Sequence, residues 1–225
     1  MKDRKRAREL AADFNRRGDP TGWFEALYRE AVEGKSTVPW VDYHPTPPLV
    51  GFWIQHPQQT AGKSALVVGS GFGDDAEQLA AWGYRTTAFD ISETAIRNTR
   101  KRFQSSRVDY HVADLLNPPA HWSGQFDFVL ESHTLQVLPA ALRPRATKNI
   151  AGFVSAGGLL LVIARHREPS DPVGEMPWPL TRSEISAFTG HGLEELLFDL
   201  ISDVSEPDVR RFRVLFQMRQ PAAQQ

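Results

Sequence analysis

The chain has 225 residues, enough for one sizeable core, and its apolar (41%) and charged (24%) fractions are ordinary for a globular protein. Its 26 Lys and Arg residues nearly balance 27 Asp and Glu residues, so no overall field attracts nucleic acid or anionic membranes. The absence of Cys excludes disulfides, zinc–thiolate sites and thiol catalysis. The start "MKDRKRAREL" lacks the apolar region of a secretory signal, and the longest apolar run, "LLLVIA", is too short to span a bilayer. We therefore expect a cytoplasmic protein with no nucleic-acid, membrane or obligate protein partner.

The first part of the chain predicts two helices and a proline-rich segment. Residues 1–18 are rich in Lys and Arg with only a thin apolar stripe, which favours a solvated or frayed helix; a lid over a ligand is the alternative. "TGWFEALYREAVEG" predicts a short helix that Gly34 ends, because its apolar residues recur on one face. The four prolines of "VPWVDYHPTPP", residues 38–48, exclude a regular helix or central strand and predict an ordered loop or a linker.

From residue 64 onward, strands and helices alternate, which predicts a doubly wound, mostly parallel sheet. The predicted strands are "ALVVG", "YRTTAFD", "VDYHVAD", "FDFVLES" and "GGLLLVIA". The predicted helices are residues 74–82, the run "ETAIRNTRKRF" capped by Ser92, residues 144–154, and a short helix opened by the capping box "TRSE".

The end of the chain departs from this alternation. "LEELLFDLISDV" and "VRRFRVLFQMR" are separated only by "SEPD", and a parallel crossover needs about a dozen residues, so these strands should be antiparallel neighbours. A mostly parallel, seven-stranded sheet that closes in an antiparallel hairpin is the plan of class I methyltransferases, unlike that of nicotinamide-binding domains. We divide this single domain into an N-terminal lid and substrate segment (1–63), a core (64–217) and a tail (218–225).

The loop after the first predicted strand, "GSGFGDD", indicates the kind of ligand. Gly69, Gly71 and Gly73 follow the spacing G-x-G-x-G, whereas the dinucleotide fingerprint is G-x-G-x-x-G. Asp74 and Asp75 come next, where they would repel a pyrophosphate and suit a ligand with an ammonium and a sulfonium. This pattern favours S-adenosylmethionine over NAD.

Two further acids lie at predicted strand ends. Asp90 ends the second strand, where a carboxylate accepts hydrogen bonds from ribose hydroxyls; this position suits either cofactor. Asp114 ends the third strand, within reach of an adenine amine. For each, the structural alternative is a helix N-cap or a solvated loop acid.

With these motifs in place, the sequence resembles class I S-adenosylmethionine-dependent methyltransferases, and more narrowly the thiopurine and thiol/halide methyltransferase group. The resemblance covers about residues 22 to 217 and includes "GWFEALYREA", "VVGSGFGDDAEQLA", "FDISETAI", "FDFVLESHTLQVLPAALRPR" and "GGLLLVIARHREPSDPVGEMPWPLTRSEI". One departure is Ser70, where the group often has Cys. This change leaves the expected fold intact.

The resemblance implies that the glycines surround the methionine part of the cofactor and that N-terminal aromatic residues cover it. It also implies that Arg143 lies near the substrate or the carboxylate end. Together with the motifs above, the predicted cofactor-binding residues are Phe24, Trp40, Gly69, Gly71, Gly73, Asp90, Ile91, Asp114, Leu115 and Glu131.

The remaining polar candidates follow predicted strands or lie in the proline-rich segment. Each has a structural alternative: a loop histidine bonded to backbone for His133, turn chemistry or packing for the "VDYHP" residues, a solvated loop for Arg165 and His166, and core packing for Trp178. The predicted catalytic residues are His133, Glu131 and Asp42, and the predicted substrate contacts are Tyr43, His44, Arg143, Arg165, His166 and Trp178. No pattern of side chains predicts a metal site.

We therefore predict a methyltransferase that transfers the methyl group of S-adenosylmethionine to a small molecule, with a thiol or related sulfur nucleophile as the first expectation. A low-pKa thiol needs no general base, whereas an amine or hydroxyl usually does. The alternatives are methylation of nitrogen or oxygen, a nicotinamide-dependent oxidoreductase, and a non-catalytic cofactor-binding protein.

Overall fold

A computed structural model describes residues 4–202, 206 and 208–220. The helices in this part of the chain are α1 (Lys5–Arg16), α2 (Gly22–Val32), α3 (Pro47–Gln55), α4 (Asp74–Ala81), α5 (Glu93–Arg102), α6 (Arg143–Phe153) and α7 (Arg182–Ser186). The strands are β1 (Ser64–Val68), β2 (Arg85–Asp90), β3 (Asp109–Val112), β4 (Phe126–Ser132), β5 (Val154–Arg165), β6 (Leu193–Ser202) and β7 (Arg210–Met218). Short 3-10 turns follow β3, β4 and α7.

The strands form one sheet in the order β3-β2-β1-β4-β5-β7-β6. Strands β1 to β5 pair in parallel, and β7 pairs antiparallel with both β5 and β6. The predicted mostly parallel sheet with its terminal hairpin is therefore confirmed. The strand order reverses between β1 and β4, and a crevice for ligands forms at the carboxyl ends of the strands at such a point.

The central strands are largely apolar because helices cover both faces of the sheet. Successive residues of β1 point to opposite faces: Leu66 packs in a cluster with Ile150 of α6, and Val67 packs in another with Leu79 of α4. Because both faces are buried, a shift of one residue in register would exchange the two sets of contacts.

Helices α1 and α2 pack together over the carboxyl-end edge of the sheet. Their cluster joins Leu10 and Leu27 to Phe72 of the glycine loop. Glu25 of α2 accepts hydrogen bonds from Ser92 Oγ at 2.7 Å and from the Thr94 N–H at 3.0 Å, so α2 is tied to the start of α5. Burial acts to raise the pKa of Glu25, but these hydrogen bonds hold it below its ordinary value.

Two interpretations of the N-terminal part were wrong. The frayed-helix interpretation of residues 1–18 fails because Ala7, Leu10 and Ala11 of α1 are buried against α2. The proline-rich segment is a loop only as far as Thr46, since α3 begins at Pro47. Proline is tolerated in the first turn of a helix, where its missing N–H has no intrahelical partner.

Other predicted boundaries differ by a few residues. Strand β5 begins at Val154, earlier than the predicted 157, and α6 ends just before it. The predicted strand "LEELLFDLISDV" includes residues 203 and 204, and the predicted tail includes residues 221–225; these lie outside the described residues, as do residues 1–3 of the lid segment. Within the described part of the chain, the helices are too short or too polar to cross a membrane.

Candidate functional site

A cavity of about 620 Å³ lies at the carboxyl ends of the strands, beneath α1, α2 and the segment that leads into α3. Its volume is within the usual range for small-molecule sites. The predicted site residues on its wall are Phe24, Trp40, Asp42, His44, Gly69, Asp90, Ile91, Asp114, Leu115, His133 and Arg165. The fold thus brings together residues that lie as far apart in the sequence as Phe24 and Arg165.

The glycine loop follows β1 and leaves little room for side chains. Gly69 has a φ of 62°, and a Cβ there would lie 2.5 Å from Oγ1 of Thr134. Gly73 has a φ of 89°, and its Cβ would lie 2.5 Å from Cγ2 of Thr99. Of the three glycines, Gly69 alone lines the cavity, and Gly71 and Gly73 lie behind its wall. Both conformation and packing therefore exclude larger residues at these turns.

The carboxylate of Asp90 fixes the loop in place. One of its oxygens accepts a hydrogen bond from the N–H of Gly71 at 2.9 Å, and the other accepts from the N–H of Ser92, also at 2.9 Å. Burial raises the pKa of Asp90 to about 6, although these backbone hydrogen bonds oppose the rise. A carboxylate has about four acceptor positions, so Asp90 retains acceptor capacity toward the cavity.

Asp114 combines a structural role with a position on the wall. Its Oδ1 accepts a hydrogen bond from the N–H of Leu116 at 2.8 Å, which is a turn contact rather than the helix N-cap or solvated loop acid considered as its alternatives. Its neighbours Ala113 and Leu115 also line the cavity. The end of β3 therefore supplies an acid flanked by apolar surface.

Asp74 and Asp75 do not lie beside the cavity, contrary to the expectation that they would flank the ligand. Asp74 forms a bidentate ion pair with Arg102, at 2.6 and 2.7 Å. Asp75 accepts hydrogen bonds from the N–H and the hydroxyl of Thr46, and burial raises its pKa despite them. The two acids instead tie the start of α4 to α5 and to the proline-rich segment.

The carboxyl group of Glu131 lies behind the wall and holds the turn after β4. The side chain is fully buried, and its Oε1 accepts hydrogen bonds from the N–H groups of Thr134 at 2.8 Å and Leu135 at 2.9 Å. Its Oε2 has no hydrogen-bond partner among the described residues. Burial raises the pKa of Glu131 to about 7. This geometry fits a positioning residue better than direct contact with substrate.

His133 lies on the wall in the turn that Glu131 holds. It has a φ of 67°, in the left-handed region that histidine tolerates better than most residues, and its N–H donates to the Ile163 carbonyl at 2.8 Å. Ser132 and Thr134 beside it also line the cavity. A strained conformation at a cavity wall is typical of functional positions.

Aromatic side chains from the N-terminal segment cover one side of the cavity. The Trp40 indole N–H donates to the Tyr28 hydroxyl at 2.9 Å, and the Phe24 and Trp40 rings meet edge to face with centroids 6.4 Å apart. Sequence reasoning missed Tyr28, although its spacing of four from Phe24 on α2 predicts a shared face.

Four predicted substrate contacts lie outside the cavity wall. Tyr43 is 65% exposed and stacks on Phe72. His166, just after β5, packs edge to face on Phe212 of β7 and contacts Glu168. Arg143 lies beneath Trp178, with its guanidinium carbon 5.9 Å from the ring centroid.

The contacts of Arg143 and Trp178 favour structural roles. Arg143 donates to the Leu138 carbonyl at 3.1 Å and pairs with Glu184. The backbone N–H of Trp178 donates to the Gln136 carbonyl at 2.7 Å, so this loop packs on the core as its alternative predicted. Across the residues that the structure describes, no group of three or more His, Asp or Glu side chains could hold a metal ion.

Comparisons with known proteins agree with the fold. Residues 65–158 match the family described as "Methyltransferase domain". A ubiquinone biosynthesis O-methyltransferase from Aromatoleum aromaticum is 37% identical over 98 residues, which are 43% of this chain and 42% of that protein. The chain therefore matches less than half the length of that relative.

Solved structures resemble the chain over most of its length. A protein solved in work on the conversion of a disulfide bond into a thioacetal group during echinomycin biosynthesis has a TM-score of 0.71 at 19% identity, over 90% of this chain and 93% of that one. The Burkholderia thailandensis 1,6-didemethyltoxoflavin-N1-methyltransferase, with its substrate and S-adenosylhomocysteine bound, has a TM-score of 0.70 at 14% identity, over 88% and 86%. The chain has the class I methyltransferase fold.

The Glu131→Gln variant should change how stability depends on pH. Because the pKa of Glu131 is about 7 when folded against an ordinary 4.5, the folded chain holds its proton to higher pH than the unfolded chain does. The free energy of unfolding therefore falls as pH rises from 4.5 to 7, by up to about 3 kcal/mol, and then levels. Glutamine keeps an acceptor for the N–H groups and does not titrate.

Urea unfolding at pH 5 and pH 8 would measure this effect. We expect the variant to gain about 2–3 kcal/mol relative to wild type between the two pH values. The exposed Glu93→Gln substitution is the matched control and should show no such gain. An equal difference between Glu131→Gln and wild type at both pH values would contradict the assignment.

Proposed function

We propose that the chain is an S-adenosylmethionine-dependent methyltransferase that acts on a small molecule. The observation that carries the proposal is the cavity wall at the carboxyl ends of β1, β2 and β3. This wall contains the bare backbone of Gly69, the carboxylate of Asp90, and Asp114 with its apolar neighbour Leu115. The class I methyltransferase fold and the match over residues 65–158 support it.

The residues of this wall fit the cofactor. A Cβ at Gly69 would lie 2.5 Å from Oγ1 of Thr134, so the backbone stays bare at this point of the wall, and Asp90 offers a carboxylate to two ribose hydroxyls. We assign the methionine part to Gly69, the ribose to Asp90 and Ile91, and the adenine to Asp114 and Leu115. Ser132 lines the cavity, and its buried Oγ has no hydrogen-bond partner among the described residues, which suits a polar ligand.

The aromatic cover matches the chemistry of the reaction. When bound, S-adenosylmethionine supplies an electrophilic methyl group on a sulfonium. Charge is neutralised as the methyl group moves, so a dry site with aromatic faces favours the transfer. Phe24, Tyr28 and Trp40 exclude water from this side, and the chain contributes mainly proximity and orientation.

His133 is the wall residue best suited to take a proton. For a hydroxyl acceptor, its imidazole would accept the O–H proton while the oxygen forms its bond to the methyl carbon and the carbon–sulfur bond breaks. The products are a methyl ether, S-adenosylhomocysteine and a protonated His133. Glu131 acts through the turn that carries His133, and Asp42 and His44 line the same cavity.

For the acceptor, we propose a hydroxyl first and a thiol second. A histidine on the wall supplies the base that a hydroxyl needs, and the O-methyltransferase relative has that chemistry by name. A thiol, the expectation from the sequence resemblance, needs no base and also fits the apolar cover. The two acceptor classes differ in how much they depend on His133.

A panel of acceptors would test the function. The purified protein would be incubated with S-adenosylmethionine and catechol, thiophenol or aniline, and products read as a mass gain of one methyl group. We expect methylated catechol, and His133→Gln should lower its rate by about 10²–10⁴-fold with the cofactor affinity unchanged. The His111→Gln variant, at a residue of β3 outside the cavity wall, is the control.

The outcomes separate the acceptor classes. Methylation of thiophenol alone, insensitive to His133→Gln, would favour the thiol. Cofactor binding without transfer to any acceptor would contradict the hydroxyl and thiol assignments.

Asp90 should control cofactor affinity. Asp90→Ala removes charged hydrogen bonds, and we expect S-adenosylmethionine binding to weaken by about 1.5–3 kcal/mol, read by calorimetry. Because the pKa of Asp90 is about 6, protonation below that pH should weaken binding to the wild type, and Asp90→Asn should flatten this dependence. The exposed Asp109→Asn serves as the control. Unchanged affinity in Asp90→Ala, with the fold intact by thermal unfolding, would remove the ribose assignment.

A further inference from the structure

Three arginines converge on one carboxylate at the other end of the cavity. Arg4 forms a bidentate pair with Glu206 at 3.0 and 3.2 Å, Arg165 contacts the same carboxylate, and Arg211 lies 3.8 Å from it. All four residues line the cavity, and their side chains are at most 17% exposed. This arginine cluster, defined as Arg4, Arg165 and Arg211, is thus largely buried at a ligand-accessible wall.

The sheet holds two of the three arginines in place. Arg165 ends β5 and pairs in register with Arg211 of β7. The N–H of Arg165 also donates to the side chain of Gln136 at 2.7 Å. Arg4 lies directly before α1, so the N-terminal segment contributes the third guanidinium. Adjacent, ordered guanidinium groups are well suited to bind a carboxylate through parallel hydrogen bonds.

The strand order separates this cluster from the proposed cofactor end. Asp90 ends β2 and Arg165 ends β5, and these strands are three positions apart in the sheet. At about 4.8 Å a strand, the separation is about 14 Å. The cavity therefore has acids at the tips of β2 and β3 and arginines at the tips of β5 and β7, with His133 at the tip of β4 between them.

We propose that the arginine cluster is the subsite for a carboxylate on the methyl acceptor, and that Glu206 occupies it when no acceptor is bound. This proposal rests on the proposed function and names its substrate class: a small organic acid whose reactive group lies toward His133. A carboxylate already fits among the three guanidinium groups, since Glu206 holds that position. A phosphate is the competing anion.

Glu206 is an ionised occupant. Burial acts to raise its pKa, but the hydrogen bond from Arg4 and the charges of Arg165, Arg4 and Arg211 hold it below its ordinary value. The carboxylate of an acceptor would therefore replace the carboxylate of Glu206 at the arginine cluster, whereas a neutral amide has no charge with which to do so. Removing the charge of Glu206 should favour binding of an external anion to the cluster.

A binding experiment with matched probes tests the proposal. Benzoate, benzamide and phenyl phosphate would be titrated into the protein by calorimetry, with and without saturating S-adenosylhomocysteine. We expect benzoate to bind at least about 10-fold more tightly than benzamide. Arg165→Gln and Arg211→Gln should each remove most of that preference, and Glu206→Gln should increase it. Arg182→Gln, which breaks a bidentate pair with Glu195 outside the cavity wall, is the matched control.

Each outcome has one meaning. Equal affinity for benzoate and benzamide, no binding of either, or a preference that survives in the correctly folded Arg165→Gln and Arg211→Gln variants would overturn the proposal. Tighter binding of phenyl phosphate than benzoate would replace the carboxylate by a phosphate and also overturn it. Failure to bind S-adenosylhomocysteine would instead count against the proposed function. The two failures can be told apart because the preference for benzoate over benzamide is also measured without S-adenosylhomocysteine.

Discussion

The arrangement of the cavity depends on the buried carboxylate of Asp90. Because its two oxygens bind the N–H groups of Gly71 and Ser92, it joins the glycine loop to the start of α5. Glu25 of α2 binds Ser92 as well, so the covering helices are fixed to the same point. One strand end thus sets the positions of the loop, the helix cap and the cover. Burial destabilises the ionised form of Asp90 and thereby raises its pKa. Shifted pKa values of this kind are typical of residues at functional sites.

The order of the strands distributes charge along the cavity. Parallel strands deliver their carboxyl ends to one edge: bare backbone follows β1, acids follow β2 and β3, a histidine follows β4, and an arginine ends β5. The antiparallel β7 brings its amino end, with Arg211, to the same edge. A cationic donor and an anionic acceptor would then approach His133 from opposite sides. Under the proposed function, this polarity would orient both ligands before any bond changes, which is the main contribution a methyl-transfer site makes.

Much of this could be predicted from local patterns. Continuous apolar runs between glycine-rich turns gave the strands, and the four-residue link before β7 required the hairpin. Asp90, Asp114 and His133 lie on the cavity wall, and their place could be predicted because strand ends face the ligand edge. Contacts between residues far apart in the sequence could not be predicted from local patterns. Asp74 is paired with Arg102, 28 residues away, and Arg4 and Arg211 come from opposite ends of the chain. Helix α3 was missed because its prolines occupy the first turn.

Calorimetric titration of the purified wild-type protein with S-adenosylmethionine, S-adenosylhomocysteine and NADH tests the central claim most directly. We predict that the sulfonium donor and its demethylated product each bind at one site per chain, and that NADH does not bind, because the glycine loop has the spacing G-x-G-x-G rather than the dinucleotide fingerprint. Binding of NADH in their place, or indifference to both adenosyl compounds, would contradict the assignment of this cavity.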